Sequence, residues 1–288
     1  MAIPDKVMEG IQRLDPLPIT IQKLTAALQD EDVGSQEIAR IVEYDGAVAA
    51  NILRIANSMA YGGRFRTQCL RDAVVRLGTA SLLNVVLGNH LKTLKTAAPM
   101  YNLTENDFWL HSAASSLAVK AMIAETEPSH IPQAAAVAAL LHDIGKLLIV
   151  RYLRADVSVI LTLAKEKQLP FVEAERELLG CDHTEVGSEM ARKWHFPPDI
   201  AHAIECHHQM TQDEADPVLD AVMLANLAAK SLGAGLGADG MNFCIDYTGS
   251  RQRLGLKVES FERACAQTAI WLNDLRKLEG IKYDRAFL

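Results

Sequence analysis

The feature that most constrains this chain of 288 residues is the dipeptide His142-Asp143, which follows the apolar stretch Ala134–Leu141. Burying an imidazole and a carboxylate is costly unless both polar groups have partners. Neighbouring positions of a helix point about 100° apart, so the two side chains can converge on an ion or a phosphate at a helix end. An ordinary helix end, with a satisfied histidine and an aspartate that accepts nearby N–H groups, explains the same pair.

Two residues that follow the pair suit a functional site. We predict a helix over 134–144, and Lys146, four positions after His142, would lie on the same face if the helical path continues. Its ammonium group can then meet a phosphate oxygen. Gly145 permits a close backbone approach or a sharp exit from the helix.

Apolar residues elsewhere recur at helical spacing, as in Ile21, Leu24 and Leu28. Asp45 is typical of a helix N-cap. The spacing of Asp182 and Glu185 predicts a capping box, which places His183 in the first turn of a helix. We predict an all-α protein.

The segment after the predicted helix 218–232 contains a glycine-rich loop and one more helix. Its glycines lack the spacing of a phosphate-binding loop. Six residues form an apolar seam along the last helix: Val258, Phe261, Cys265, Thr268, Leu272 and Leu275. The seam is short for a coiled coil, so we expect this helix to pack on its own core, with a coiled coil as the alternative.

Composition excludes several classes of function. The net charge of −7 argues against general nucleic-acid binding, which needs a basic surface. The longest apolar stretches are too short to cross a bilayer, and we see no signal-peptide pattern. The five cysteines lack a Cys-x-x-Cys spacing, which favours a reducing compartment. We therefore expect a cytoplasmic protein without a membrane segment.

The order of these motifs resembles the HD superfamily of metal-dependent phosphohydrolases, and within it the HDOD branch. The resemblance extends over residues 16–230. Its motifs are 109–112 (WLHS), 140–146 (LLHDIGK), 175–187 (ERELLGCDHTEVG), 194–197 (WHFP) and the pair His207-His208, with 17–18, 41–45 and 53–61 (LRIANSMAY) upstream.

This resemblance implies a multi-helix bundle like that of HD domains, with a helical N-terminal subdomain. We expect the N-terminal subdomain at 1–98 and the HD-like helical core at 99–232. Residues 233–288 would form the glycine-rich loop and a C-terminal helix packed on the core.

The resemblance also implies two metal positions. His111, His142 and Asp143 would hold one ion, which hydrolytic relatives complete with an aspartate where this chain has Asn226. Asp143 would bridge to a second ion, for which the candidate ligands are His183, His207 and His208. Such a set suits iron, manganese or zinc, whereas a metal-free polar core held by hydrogen bonds remains the alternative.

A second polar cluster follows the predicted helix that begins at Asp45. It comprises Arg54, Asn57, Ser58, Tyr61, Arg64 and Arg66. One interpretation is a docking surface for a protein partner or a ligand phosphate. The other is a helix C-terminus at which these residues satisfy local backbone groups.

Three functions compete. We favour a bacterial regulatory module of signal transduction that acts by binding a protein partner or a nucleotide, and a homo-oligomer is left open. The second is an active metal-dependent phosphohydrolase or nucleotide phosphodiesterase, in which Asp143 and Lys146 would be catalytic. Residues 209–212 lack the Gly-Tyr-Pro signature of cyclic-di-GMP phosphodiesterases, which argues against that substrate. The third is a scaffold whose histidines are relics.

Overall fold

The computed structural model describes residues 3–28, 30, 32–58, 61, 65–91, 105–126, 130–153, 157–209, 215–234 and 247–278. Within these ranges every regular element is a helix, so the all-α prediction is confirmed. The first six helices are α1 (Asp5–Gln12), α2 (Ile19–Leu28), α3 (Ser35–Glu43), α4 (Gly46–Ala56), α5 (Leu70–Leu77) and α6 (Thr79–Leu91). None of the helices in these ranges has the length and apolarity needed to cross a membrane.

Ten further helices and one π-helical segment follow. They are α7 (Glu105–Ala124), α8 (Ala134–Leu141), α9 (Gly145–Leu148), the π-helical segment (Ile149–Leu153), α10 (Val157–Lys167), α11 (Phe171–Leu179), α12 (His183–Lys193), α13 (Pro198–Cys206), α14 (Pro217–Ser231), α15 (Thr248–Arg253) and α16 (Val258–Leu278).

The two predicted aspartate caps are both present. The Asp45 carboxylate accepts hydrogen bonds from the backbone N–H groups of Ala47 (3.1 Å) and Val48 (3.0 Å) at the start of α4. Asp182 forms the predicted capping box with Glu185. Because a cap satisfies otherwise unpaired N–H groups, it makes α12 begin at His183.

The helix that carries the His-Asp pair ends earlier than predicted. α8 stops at Leu141, and α9 begins at Gly145. In between, Ile144 N–H donates to the Leu141 carbonyl (2.9 Å) and Lys146 N–H to the Asp143 carbonyl (3.0 Å). These are three-residue steps, tighter than those of an α-helix. The tight turn holds His142 and Asp143 between two helices.

A single hydrophobic core joins the early helices to the later ones, from Val7 to Ala264. Helices α7, α8 and α14 pack against one another within it, and α16 packs along α7. Leu272 of α16 is buried in a smaller cluster with residues of α7 and α14. Residues 92–104 lie outside the described ranges, so the predicted boundary at 98/99 stays a prediction.

Two glycines allow α9 and α12 to cross in backbone contact. A Cβ atom on Gly145 would lie 2.0 Å from the carbonyl oxygen of His183 and 2.6 Å from the backbone nitrogen of Gly187. Real side chains do not reach such distances, so only glycine fits at Gly145. The crossing brings the start of α12 next to Asp143.

Candidate metal centre

Separate elements bring the predicted histidines together around one carboxylate. His111 lies on α7, His183 opens α12, and the pair His207-His208 follows α13. Asp143 lies among them in the turn after α8. The side chains of His111, His142, Asp143, His183 and His207 are all buried, while His208 is partly exposed. The sequence-predicted histidines therefore form one cluster in the interior.

The Asp143 carboxylate divides the cluster into two sides. On the Oδ2 side, Oδ2 lies 2.7 Å from Lys146 Nζ, 3.5 Å from His142 Nε2 and 3.7 Å from His111 Nε2. On the Oδ1 side, Oδ1 lies 3.4 Å from His183 Nε2 and 3.8 Å from His207 Nε2. His208 contributes a ligand atom to the Oδ1 side, in a group whose atoms all lie within 4.8 Å of one another.

Backbone carbonyls hold three of the imidazoles in one orientation. Nδ1 of His111 lies 2.8 Å from the Ala234 oxygen, Nδ1 of His142 lies 2.8 Å from the Ala139 oxygen, and Nδ1 of His207 lies 2.8 Å from the Ile204 oxygen. A carbonyl oxygen only accepts, so each Nδ1 carries the proton. In a neutral ring the other nitrogen, Nε2, then has a free lone pair. The Nε2 atoms of His111 and His142 lie 3.2 Å from each other beside Asp143 Oδ2, whereas Nε2 of His207 lies beside Oδ1 without a hydrogen bond among the described residues.

Burial keeps these three rings uncharged. Desolvation lowers the pKa of His111, lowers that of His142 well below its usual range, and lowers that of His207 to about 3. Burial by itself would raise the pKa of Asp143, but Lys146 and the imidazoles lower it far below its usual range. At neutral pH Asp143 is therefore an anion beside three neutral imidazoles, those of His111, His142 and His207, and these are the protonation states that metal binding requires.

Several atoms at the centre lack partners. Within the described residues, Asp143 Oδ1, His183 Nε2 and His207 Nε2 are buried and make no hydrogen bond. Leaving a buried polar group unsatisfied costs about 1–3 kcal/mol. One cation among these three atoms would satisfy all of them. The residues present therefore fit a divalent metal on the Oδ1 side.

A buried glutamate orients His183. Glu175 of α11 is fully buried, and its Oε2 accepts from His183 Nδ1 at 2.6 Å. Burial and the Lys146 charge lower the pKa of His183, but Glu175 and Asp143 together raise it further, so the net shift is upward. A carboxylate behind a histidine is the usual support of a metal-binding imidazole. In the sequence, Glu175 is distinguished only as the first residue of the motif 175–187. Its position on the buried face of α11, four residues after Phe171, was the available signal.

Two further buried polar residues lie one turn apart on helix α14. Asn226 is buried, and its Oδ1 has no hydrogen-bond partner in the described part of the chain. Lys230, one turn later, is also buried and lies close enough to His111 to lower its pKa. Coordination by Asn226 stays a prediction, and Lys230 was not anticipated from the sequence.

The residues of the second polar cluster diverge. Asn57 donates to the Thr67 carbonyl (2.9 Å) and accepts from its N–H (2.8 Å), while Ser58 is buried. Tyr61 lies under the ammonium group of Lys120, which is 3.1 Å from its ring centroid. Two members are exposed, Arg54 and Arg66, and Arg64 lies outside the described residues. Binding of a partner at this cluster stays a prediction, and Arg54 and Arg66 are the described members exposed enough to contact one.

Several solved protein structures share the fold of this chain. An HDOD domain protein with unknown function from Geobacter sulfurreducens shares 23% identity at a TM-score of 0.74, covering 94% of this chain and 97% of that one. A candidate signal transduction protein from Marinobacter aquaeolei VT8 shares 20% at 0.73, covering 96% and 65%. A candidate metal-dependent phosphohydrolase from Shewanella amazonensis SB2B shares 18% at 0.57, covering 92% and 95%. Likeness at these identities establishes the fold alone.

An uncharacterized protein from Treponema pallidum (strain Nichols) is 21% identical over 234 residues, which are 78% of this chain and 44% of that protein. The chain thus spans less than half the length of this curated relative. The family model of the HDOD domain matches residues 14–210, which is more than half of the chain. The protein therefore belongs to the HDOD family.

Proposed function

We propose that this HDOD protein is a regulatory module of bacterial signal transduction that binds a divalent metal at its His/Asp cluster and hydrolyses phosphate esters weakly or not at all. Its output would be the binding of a protein partner or a nucleotide. The observation that supports metal binding is a set of buried atoms without hydrogen bonds among the described residues: Asp143 Oδ1, His183 Nε2 and His207 Nε2.

Iron, manganese and zinc suit this set of ligands. Imidazole nitrogens bind all three, and a carboxylate adds the negative charge that favours a 2+ ion. A metal-free polar core explains the cluster less well, because such a core pairs its buried donors and acceptors with each other. On the Oδ1 side the Nδ1 atoms of His183 and His207 have partners outside the cluster, and their Nε2 atoms make no hydrogen bond among the described residues.

Burial of the cluster supports a regulatory function over catalysis. A hydrolytic metal site needs a position open to water and substrate, whereas the Asp143 side chain is only 5% exposed. Lys146, the residue expected to meet a substrate phosphate, instead pairs with Asp143 at 2.7 Å. Asn226 is neutral where hydrolytic relatives would have an aspartate.

An active phosphohydrolase is the second candidate. The proximity of a metal-binding carboxylate to a lysine favours it, since such a pair can hold a metal and neutralise a phosphate. Within the family fold, proteins described as candidates for signal transduction and for phosphohydrolysis both occur.

Metal content and hydrolysis together test the proposal. Protein purified without chelators or a nickel column should contain near-stoichiometric iron, manganese or zinc, which Asp143→Ala should lose and the surface variant Asp45→Ala should retain. The loaded protein should leave bis(p-nitrophenyl) phosphate intact. A wild type that takes up none of these ions contradicts the metal site, and metal-dependent turnover lost in Lys146→Met would favour the enzyme instead.

A further inference from the structure

Each side of the cluster brings together a group of atoms that could bind a metal ion. Potential ligand atoms of His111, His142 and Asp143 form one group, and those of Asp143, His183, His207 and His208 form another. A carboxylate shared between two such groups would ordinarily suggest two ions bridged by Asp143. The charges around the two sides differ, however, and they decide between one ion and two.

The Oδ2 side already contains a cation from the chain itself. The Lys146 ammonium group lies 2.7 Å from Asp143 Oδ2, and both side chains are about 95% buried, at 4% and 5% exposure. A metal ion that binds Oδ2 would have to compete with the ammonium group for the same carboxylate oxygen. Moving the ammonium away from its carboxylate inside the protein costs several kcal/mol of desolvation.

A second buried ammonium group makes this side less favourable still. Lys230 is 5% exposed, and its charge acts on His111. Asn226, one turn before Lys230 on α14, supplies no compensating charge. The ion pair of Lys146 with Oδ2 therefore already satisfies this oxygen with a cation, and a 2+ ion is less favoured there than on the Oδ1 side.

The Oδ1 side has the opposite balance. Asp143 Oδ1 and two imidazole Nε2 atoms remain without hydrogen bonds among the described residues. The Glu175 carboxylate lies behind His183, 2.6 Å from its Nδ1, and adds a second negative charge. A carboxylate in this position strengthens the histidine as a metal ligand.

We propose that the Lys146 ammonium group replaces one metal ion, so that the cluster binds a single ion on the Oδ1 side, through Asp143, His183, His207 and His208. This inference rests on the proposed metal binding and specifies where and how many ions bind. On the Oδ2 side, the Lys146 ammonium group then takes the place of a metal ion beside His111 and His142. It neutralises Oδ2, and its two other N–H groups can donate hydrogen bonds to these histidines.

Metal stoichiometry and two histidine variants test the inference. After equilibrium dialysis against Mn²⁺ or Zn²⁺, we expect about one ion per wild-type chain by elemental analysis. His207→Gln should lower the affinity at least about 10-fold, and His111→Gln should leave it within about 3-fold of the wild type. Two ions per wild-type chain would overturn the inference, as would retention of the metal in His207→Gln with its loss in His111→Gln.

A gain-of-binding variant provides an independent measurement. Lys146→Met combined with Asn226→Asp removes the ammonium group and adds a carboxylate, so the chain should bind about two ions, whereas the exposed control Lys165→Met should bind about one. A folded double variant that still binds one ion would contradict the role of Lys146. Should it fail to fold, the two histidine variants decide the question. A wild type that binds no ion overturns the proposed metal site itself, which distinguishes the two failures.

Discussion

The histidine cluster and the polar cluster after α4 differ in how sequence separation relates to distance in space. His111 and His183 are 72 positions apart in the chain, yet both lie within 4 Å of Asp143. Arg54, Asn57 and Ser58 are almost consecutive, yet Arg54 is exposed, Asn57 turns inward to Thr67 and Ser58 is buried. Consecutive helical residues point in different directions. Residues at the ends of packed helices meet instead, and proximity in sequence is a poor guide to a shared site.

The energetics of the two regions should differ in the same way. Most polar groups in the histidine cluster are buried, so they depend on each other and on the backbone for partners. Exposed arginines lose little when a partner is removed, since water replaces it. The following variants test this contrast, beginning with the largest expected effect.

Removal of the central carboxylate should be the most damaging change. Asp143→Ala takes away the anion that Lys146 contacts at 2.7 Å and leaves a buried ammonium group without its carboxylate. Breaking a buried ion pair from one side costs about 3–5 kcal/mol. Urea unfolding of metal-free protein measures this cost apart from metal loss. A decrease of less than about 1 kcal/mol in the free energy of unfolding would show that this buried position tolerates substitution as well as an exposed position does.

Adding one methyl group at the crossing of α9 and α12 should give the second-largest loss of stability. In Gly145→Ala the new Cβ would meet the His183 carbonyl oxygen at 2.0 Å, so α9 and α12 must separate at a cost of about 3 kcal/mol. The matched control is Gly88→Ala in α6, where no described heavy atom outside the local helix lies within 4 Å of the new Cβ. The control should be neutral or stabilising by up to about 1 kcal/mol. Equal thermal stability of the two variants would refute a tight crossing.

A change that preserves shape should act on metal affinity more than on folding. Glu175→Gln retains a hydrogen-bond acceptor for His183 but removes the charge behind it. Loss of such a supporting carboxylate weakens metal binding about 10–100-fold. Isothermal titration with Zn²⁺ compares it with Glu173→Gln, an exposed glutamate on the same helix. If both variants bind zinc as the wild type does, Glu175 does not support the metal.

Substitutions of two arginines in the N-terminal region should give the smallest losses of stability, and the two losses should differ. Arg76 donates to the carbonyl oxygens of Ala56 (3.1 Å) and Phe65 (2.8 Å) and so ties the segment after α4 to α5. Arg76→Ala should cost about 1–3 kcal/mol. Arg54→Ala, at an exposed position, should change the unfolding free energy by less than about 0.5 kcal/mol.

The same arginine pair bears on partner binding. If Arg54 is part of a docking surface, Arg54→Ala abolishes partner or nucleotide binding while thermal stability is retained. A loss of stability equal to that of Arg76→Ala would indicate that Arg54 holds the helix end, and would remove it from the predicted surface.

Local features were predictable because they depend on neighbours in the chain. Asp45 and Asp182 cap their helices as their spacing indicated, since a cap involves only the next three residues. The early end of α8 was not predicted, because the turn is stabilised by three-residue hydrogen bonds and by the bond from His142 Nδ1 to the Ala139 carbonyl. Apolar periodicity continues through such a turn unchanged.

The candidate site was predictable as a set of residues and unpredictable in its charges. The motif order identified the histidines and Asp143. The contact of Lys146 with Asp143, and the burial of Glu175 and Lys230, depend on how α9, α11 and α14 pack. A charged residue in a helix gives no indication by itself of whether it faces water or the interior.

The sequence by itself determined that the chain is helical, that its helices begin at particular caps and that its histidines belong to one family pattern. These properties follow from hydrophobic periodicity and residue order, which are local or inherited. Only the tertiary structure decided which polar groups share the interior. Packing sets the distances between helices, and in a medium without water those distances determine which charges are paired, which lone pairs remain free and where a cation can bind.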